Sequence, residues 1–173
     1  IVGAAVGDAM GAATETRSAE RIKEDFGDYV DKIITPPNDC FARGYDAGTV
    51  TDDFSLAYYT AEAVTEAKGD VTDEVAKKAL LTWASYPQFV RFAGPTTEAA
   101  IQKLQGIEVK KDGIDRSYVA ADNNRATNGS GMKIFSIGLI NPGNLDKAVK
   151  DTITICMPTH NNNAAISGAC AIS

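Results

Sequence analysis

The sequence predicts an all-α chain, an orthogonal helical bundle. Three observations carry that prediction: apolar residues recur at helical spacing, clean apolar–polar alternation is scarce, and the helical stretches are bracketed by residues that cap or stop helices. In order, the chain opens on Gly3, Gly7 and Gly11, which share one face of a small-residue helix pattern ending four residues before Glu15. Glycines at this spacing weaken a helix, so they are expected to let another backbone approach closely. Asp8 interrupts the run and the apolar stretch is too short to span a bilayer, which excludes a membrane helix. A long loop, Ile33 to Gly48, carries Pro36-Pro37 and Gly44. A helix over Thr51 to Lys68 follows, with Leu56, Tyr59, Ala63 and Ala67 on one face and Gly69 as its stop.

Thr72 is placed to cap the next helix, in which Val75, Ala79, Leu80 and Trp83 align and Pro87 lies beyond the end. A shorter helix runs through Ile101 and Leu104 to Gly106. A second long loop, Ile107 to Thr127, leads to Asn128-Gly129-Ser130-Gly131-Met132-Lys133 and then to the apolar run Ile134 to Ile140. Asn144 is the expected cap of a helix carrying Leu145, Ala148, Val149, Thr152 and Cys156. The last segment, Met157 to Asn163, precedes a small-residue helix from Ala164. Trp83, Phe89 and Phe92 read as core residues, and Tyr45 as packing beneath its loop or lining a cleft with Asp46. Arg125 is expected at the surface, with a phosphate contact as the sharper reading.

Composition bounds the function. At 173 residues and 44% hydrophobic, the chain can bury one core, and a single domain over 1–173 is expected. A formal charge of -6 with no basic stripe argues against nucleic acid as a partner. Cys40, Cys156 and Cys170 are odd in number and widely spaced, which fits reduced thiols rather than a disulfide framework or zinc ribbon. With no secretory or stop-transfer pattern, the reading is a cytoplasmic protein without a membrane partner.

Chemistry concentrates in four segments. Thr51-Asp52-Asp53 puts three hard-oxygen side chains together at a helix start. Adjacent carboxylates repel, so a divalent cation is one reason to keep them, while capping and the helix dipole are the plain alternative. The glycine-rich Asn128 to Met132 loop can present backbone N–H groups to a phosphate, yet it is neither a Walker loop nor a dinucleotide fingerprint, and an ordinary turn also explains it. His160, the only histidine, cannot build a zinc site alone, but at a helix entrance it can offer a hydrogen bond to a sugar or phosphate.

These four segments, in this order, resemble the ADP-ribosylglycohydrolase family, which includes the dinitrogenase reductase-activating glycohydrolases. Gly7-Asp8-Ala9-Met10-Gly11 with Glu15 is similar to the family's Gly-Asp-Ala-Leu-Gly and following Glu. Thr51, Asp52 and Asp53 match its Thr-Asp-Asp metal motif. Asn128-Gly129-Ser130-Gly131-Met132-Lys133 is similar to Asn-Gly-Ala-Ala-Met-Arg, with Lys133 in place of arginine. Thr159-His160 before Ala165-Ile166-Ser167-Gly168-Ala169 resembles the Thr-His segment and its helix.

The resemblance implies a hydrolase dependent on two magnesium ions, with manganese as a substitute, that cleaves ADP-ribose from an acceptor, an ADP-ribosylated protein or a small conjugate. Thr51, Asp52, Asp53 and Glu15 would serve the metal. Asp52, Asp53 and Glu15 would act catalytically. Asn128, Gly129, Ser130, Gly131, Met132 and His160 would hold the diphosphate and adenosine-side ribose. The family's second acidic motif, Asp-x-Asp-Thr or Asp-x-Asp-Ser, does not occur after Thr51, and the last residues are still helix-like without a stop. The chain is therefore expected to be a fragment, complemented by a missing C-terminal segment or a second chain. Two further readings stay open: a non-catalytic, metal-dependent ADP-ribose or nucleotide binding module, and a purely structural helical domain.

Overall fold

In a computed structural model describing residues 1–107 and 123–173, the regular elements are helical and no strand occurs among the described residues. The helices are α1 (Val2–Gly11), α2 (Ala19–Phe26), α3 (Asp52–Glu66), α4 (Asp73–Ala84), α5 (Pro87–Val90), α6 (Pro95–Leu104), α7 (Phe135–Ile140), α8 (Leu145–Cys156) and α9 (Asn163–Ile172), with a 3-10 turn at Asn128–Ser130. The all-α prediction holds. Most of the second long loop, residues 108–122, lies outside the described residues. The chain divides into two compact units, Ile1–Phe54 and Ser55–Ser173.

In the first unit, α1 is the small-residue helix that the glycine pattern predicts, with Ala9 buried, and Ala12 and Ala13 buried just beyond its end. The expected reason for its glycines is not borne out: apart from the helix's own nearby backbone, no described atom comes within 4 Å of where a Cβ would stand at Gly3, Gly7 or Gly11. A small-residue face without a neighbour gains nothing from close approach. α2 is an addition to the sequence reading. Ser18 caps it by accepting the Arg21 N–H at 3.2 Å, and Gly27, at φ 91, ends it. Arg17 ties the unit together: it pairs with Asp25 of α2 and with Asp39, and lies over the Phe26 ring at 5.7 Å. The stretch 33–48 contains turns and no helix or strand, and Cys40 and Ala42 are buried within it.

The second unit has two hydrophobic centres. Val64, Ala76, Ile134, Ile137, Ile155, Cys156 and Ala169 form one; Leu56, Leu80, Trp83, Ala100 and Ile101 form the other. α4 packs against α5, α6 and α8, and α8 packs against α7 and α9. Trp83 is fully buried, and its indole N–H donates to Ser55 Oγ at 2.8 Å, so the polar end of the ring is satisfied inside the core. Phe92 is buried, and Phe89 packs at the edge of the second centre beside the stacked Tyr59–Tyr86 pair, whose centroids are 4.9 Å apart.

The helix ends follow the sequence closely. Gly69, at φ 87, donates its N–H to Val64 O at 2.8 Å and closes α3. Thr72 Oγ1 accepts the Val75 N–H at 3.3 Å, and Asn144 Oδ1 accepts the Lys147 N–H at 3.1 Å. Because each satisfies an otherwise free donor of a first turn, replacing Thr72 with alanine is expected to cost about 1 kcal/mol of stability. Urea denaturation of Thr72→Ala against the parent protein measures that loss.

Candidate functional site

The start of α3 exposes N–H groups that no residue of the helix itself can accept. Asp8, reaching from α1 within the same unit, takes them. Its Oδ2 accepts the backbone N–H of Thr51 at 2.8 Å and of Phe54 at 3.1 Å, and its Oδ1 accepts the Thr51 hydroxyl at 2.6 Å. Thr51 Oγ1 in turn accepts the Asp53 N–H at 3.4 Å. Asp8 and Thr51 therefore do the capping, and the Asp53 carboxylate is left with no hydrogen bond among the described residues. The sequence reading placed Asp8 in the Gly7–Gly11 motif and as an interruption of an apolar run, and gave it no capping role. Its signal was there, in a single carboxylate kept within an otherwise apolar, small-residue helix.

The acids beside this cap are held against their own charge. Burial, and then the neighbouring Asp53 charge, push the Asp52 carboxyl up to about 7; its own backbone N–H works in the opposite direction, and Glu15 and Asp8 add further repulsion. Burial, Asp8 and Glu15 push Asp53 up to about 6. Glu15, exposed at its rim, is also raised, by burial and then by Asp8. Thr16, immediately after Glu15, has φ 64, an uncommon conformation for a β-branched residue that costs on the order of 1–3 kcal/mol. Glu15, Asp52 and Asp53 thus form one electrostatic group with Asp8. Among the described residues, no three of the His, Cys, Asp and Glu side chains gather closely enough to hold a metal by themselves.

The second set of predicted residues lies in the Ser55–Ser173 unit. Asn128 to Ser130 make the 3-10 turn, and the N–H groups of Gly131 and Met132 both donate to Asn128 O, at 2.8 and 3.1 Å. Ser130 is buried, and its hydroxyl donates to Ala165 O at 2.9 Å, fastening the turn to α9. His160 is 1% exposed, not an open loop residue. Its Nε2 lies 2.7 Å from Thr127 Oγ1 and its Nδ1 2.9 Å from Thr159 Oγ1. Burial, and then the Lys133 charge, push its pKa down to about 4, so it is neutral at ordinary pH. The ring fits tightly under the loop: a Cβ on residue 129 would stand 2.9 Å from His160 Cε1, so only glycine fits there without movement. Lys133 is buried as well and donates from Nζ to Thr159 Oγ1 at 2.7 Å. Thr127, Thr159 and Lys133 join His160 in a network that sequence spacing did not reveal. Tyr45 and Arg125 are both half-buried.

Comparison with known proteins covers the whole chain. A family model described as ADP-ribosylglycohydrolase matches residues 1–173. A protein of Escherichia coli K12, named uncharacterized protein YegU, is 29% identical across all of this chain and 50% of its own length. An uncharacterized protein of Archaeoglobus fulgidus is 27% identical across all of this chain and 52% of its own length. The chain spans about half the length of these curated relatives.

Two outcomes follow from the geometry. Asp8→Ala leaves the Thr51 N–H, the Thr51 hydroxyl and the Phe54 N–H without their acceptor, and is expected to lower stability by about 1–3 kcal/mol in urea denaturation. A carboxyl whose folded pKa is raised penalises folding once the unfolded chain ionises. That penalty is absent below pH 4, grows between pH 4 and 7, and is complete above. In metal-free buffer, Asp52→Asn is therefore expected to melt above the parent protein at pH 8, with the difference vanishing toward pH 3.5; differential scanning calorimetry across that range measures it.

Proposed function

Because the chain belongs to the ADP-ribosylglycohydrolase family, we propose that it carries the acidic site and the ligand loop of a hydrolase that frees ADP-ribose from an acceptor, an ADP-ribosylated protein or a small conjugate. The observation that carries this reading is the division of labour at the start of α3. Asp8 and Thr51 satisfy the helix end, while burial and then like charge, from Asp53, Glu15 and Asp8 on Asp52 and from Asp8 and Glu15 on Asp53, raise the carboxyls beside it. A purely capping role leaves that repulsion unexplained.

The donor set suits a hard divalent cation in kind. Asp52, Asp53 and Glu15 offer carboxylate oxygens. Thr51 adds a hydroxyl oxygen, oriented by its hydrogen bonds to Asp8 and from the Asp53 N–H. These residues would hold magnesium or manganese, with water and ribose hydroxyls filling out the coordination that the side chains do not supply. Bound there, the cation would contribute neutralisation of the acids and Lewis acidity at the ribose.

The chain's own residues then have defined tasks. A water attacks the anomeric carbon of the ribose, and the bond to the acceptor breaks with its electron pair leaving on the acceptor, through an oxocarbenium-like state. Asp53 or Glu15 takes the proton that the water loses and passes it to the departing acceptor. Asn128 to Met132 hold the diphosphate, and His160 supports them from below, giving binding energy remote from the bond that breaks.

The test is release of free ADP-ribose, followed by chromatography, from an ADP-ribosylated protein treated with the protein at its full natural length. Turnover is expected with magnesium and to be lost with EDTA. Asp52→Asn and Asp53→Asn are each expected to lower kcat by about a hundredfold or more. Unchanged turnover in Asp52→Asn removes that residue from the mechanism. Binding of ADP-ribose without release in the parent protein leaves the non-catalytic module as the function.

A further inference from the structure

Lys133 is a buried cation that the chemistry above does not use. It is 4% exposed, and no carboxylate pairs with it among the described residues. The Cys156 thiol of α8 acts on it electrically, the Lys133 charge acts in turn on the His160 imidazole that follows α8, and Cys156 also feels Cys170 of α9. Burial holds its pKa below the usual lysine value. Buried lysines are normally paired, and an unpaired one is readily replaced by an apolar side chain. Positive charge kept here without a carboxylate partner among the described residues points outward, along a line of hydrogen bonds.

That line has a direction. Lys133 Nζ donates to Thr159 Oγ1 at 2.7 Å, and the threonine's own proton has two acceptors within reach, His160 Nδ1 at 2.9 Å and Cys156 O at 3.3 Å, of which the imidazole is the nearer. With Nδ1 accepting, the ring proton sits on Nε2 and is donated to Thr127 Oγ1 at 2.7 Å. The Thr127 hydroxyl, on an exposed residue at the edge of the Asn128–Met132 loop, is then free to donate outward. The imidazole in the middle touches the loop itself at Gly129.

We propose that Lys133 is a positioning residue whose ammonium is the buried countercharge for a phosphate-bearing ligand on the Asn128–Met132 loop, acting through Thr159, the Nε2-protonated His160 and Thr127. This rests on the proposed role of that loop in holding a diphosphate. The ammonium aligns every donor of the relay toward the ligand and supplies the charge that Thr127, a neutral residue, lacks.

The experiment is calorimetric titration of ADP-ribose and of adenosine, with magnesium present, into the parent protein, Lys133→Met and Lys133→Arg, together with thermal melts. Because His160 is the only histidine, its imidazole nitrogens are also read directly from long-range proton–nitrogen NMR spectra. Lys133→Met is expected to fold and melt no lower than the parent, to bind ADP-ribose about tenfold more weakly, and to bind adenosine within twofold. Lys133→Arg is expected to recover ADP-ribose binding, and the parent to show the proton on Nε2. Equal ADP-ribose affinity in the parent and Lys133→Met overturns the proposal alone and leaves the loop's role standing. A fall for both ligands, a misfolded Lys133→Met, failure of Lys133→Arg to recover binding, or a proton on Nδ1 also overturns it. A parent protein that binds neither ligand overturns the loop's role and the proposal with it.

Discussion

A carboxylate on one helix that caps another is the constraint on which the acidic site depends. Asp8 accepts two backbone N–H groups and a hydroxyl at the beginning of α3. Charge-assisted bonds of this kind are stronger than neutral ones, and three on one group fix the relation of α1 to the first turn of α3 within the Ile1–Phe54 unit. They also relieve the α3 acids of the usual duty of acids at a helix start. Asp52 and Asp53 are consequently placed by the cap without being consumed by it, and their charges remain to act on one another and on Glu15. Folding energy from one carboxylate sustains the unfavourable closeness of the others, a common arrangement where a site must be ready before its ligand arrives.

The same logic governs the network beneath the Asn128–Met132 loop. His160 is not a solvent-facing donor; its two ring nitrogens are engaged by threonines, and its ring is the floor against which Gly129 rests. A neutral, fully bonded imidazole is rigid, and rigidity under a glycine-rich loop limits the conformations that the loop would otherwise sample. Ser130, tied to Ala165 O, restrains the loop from the side of α9.

Much of the fold was legible because its signals are local. Thr72 and Asn144 occupy their capping positions, Gly69 stops α3, and the spacing of Val75, Ala79, Leu80 and Trp83 marks the face of α4 that meets α5, α6 and α8. The eight residues of α2 escaped notice because its only large apolar positions are Ile22 and Phe26, and what anchors it nearby is the ionic contact of Arg17 with Asp25, a partner eight residues away. The cluster Thr51, Asp52 and Asp53 was visible as a run of hard oxygens. The capping role of Asp8 was not, because its partners lie more than forty positions along the chain. His160 was recognisable as a residue of interest, but its burial comes from Thr127, Lys133 and Gly129, which no periodicity links to it. The glycines of α1 mark a helix correctly, while the close neighbour they suggest is missing among the described residues.

The indole of Trp83 has a consequence for how the molecule is observed. It is the sole tryptophan of the chain, sealed inside the Ser55–Ser173 unit with its N–H held by Ser55. Ultraviolet-excited emission at its wavelengths therefore originates from that interior alone, while the unit containing Asp8, Glu15, Asp52 and Asp53 contributes no such light. The protein thus carries an intrinsic optical label on one of its parts, and the disassembly of that part is visible without any dye.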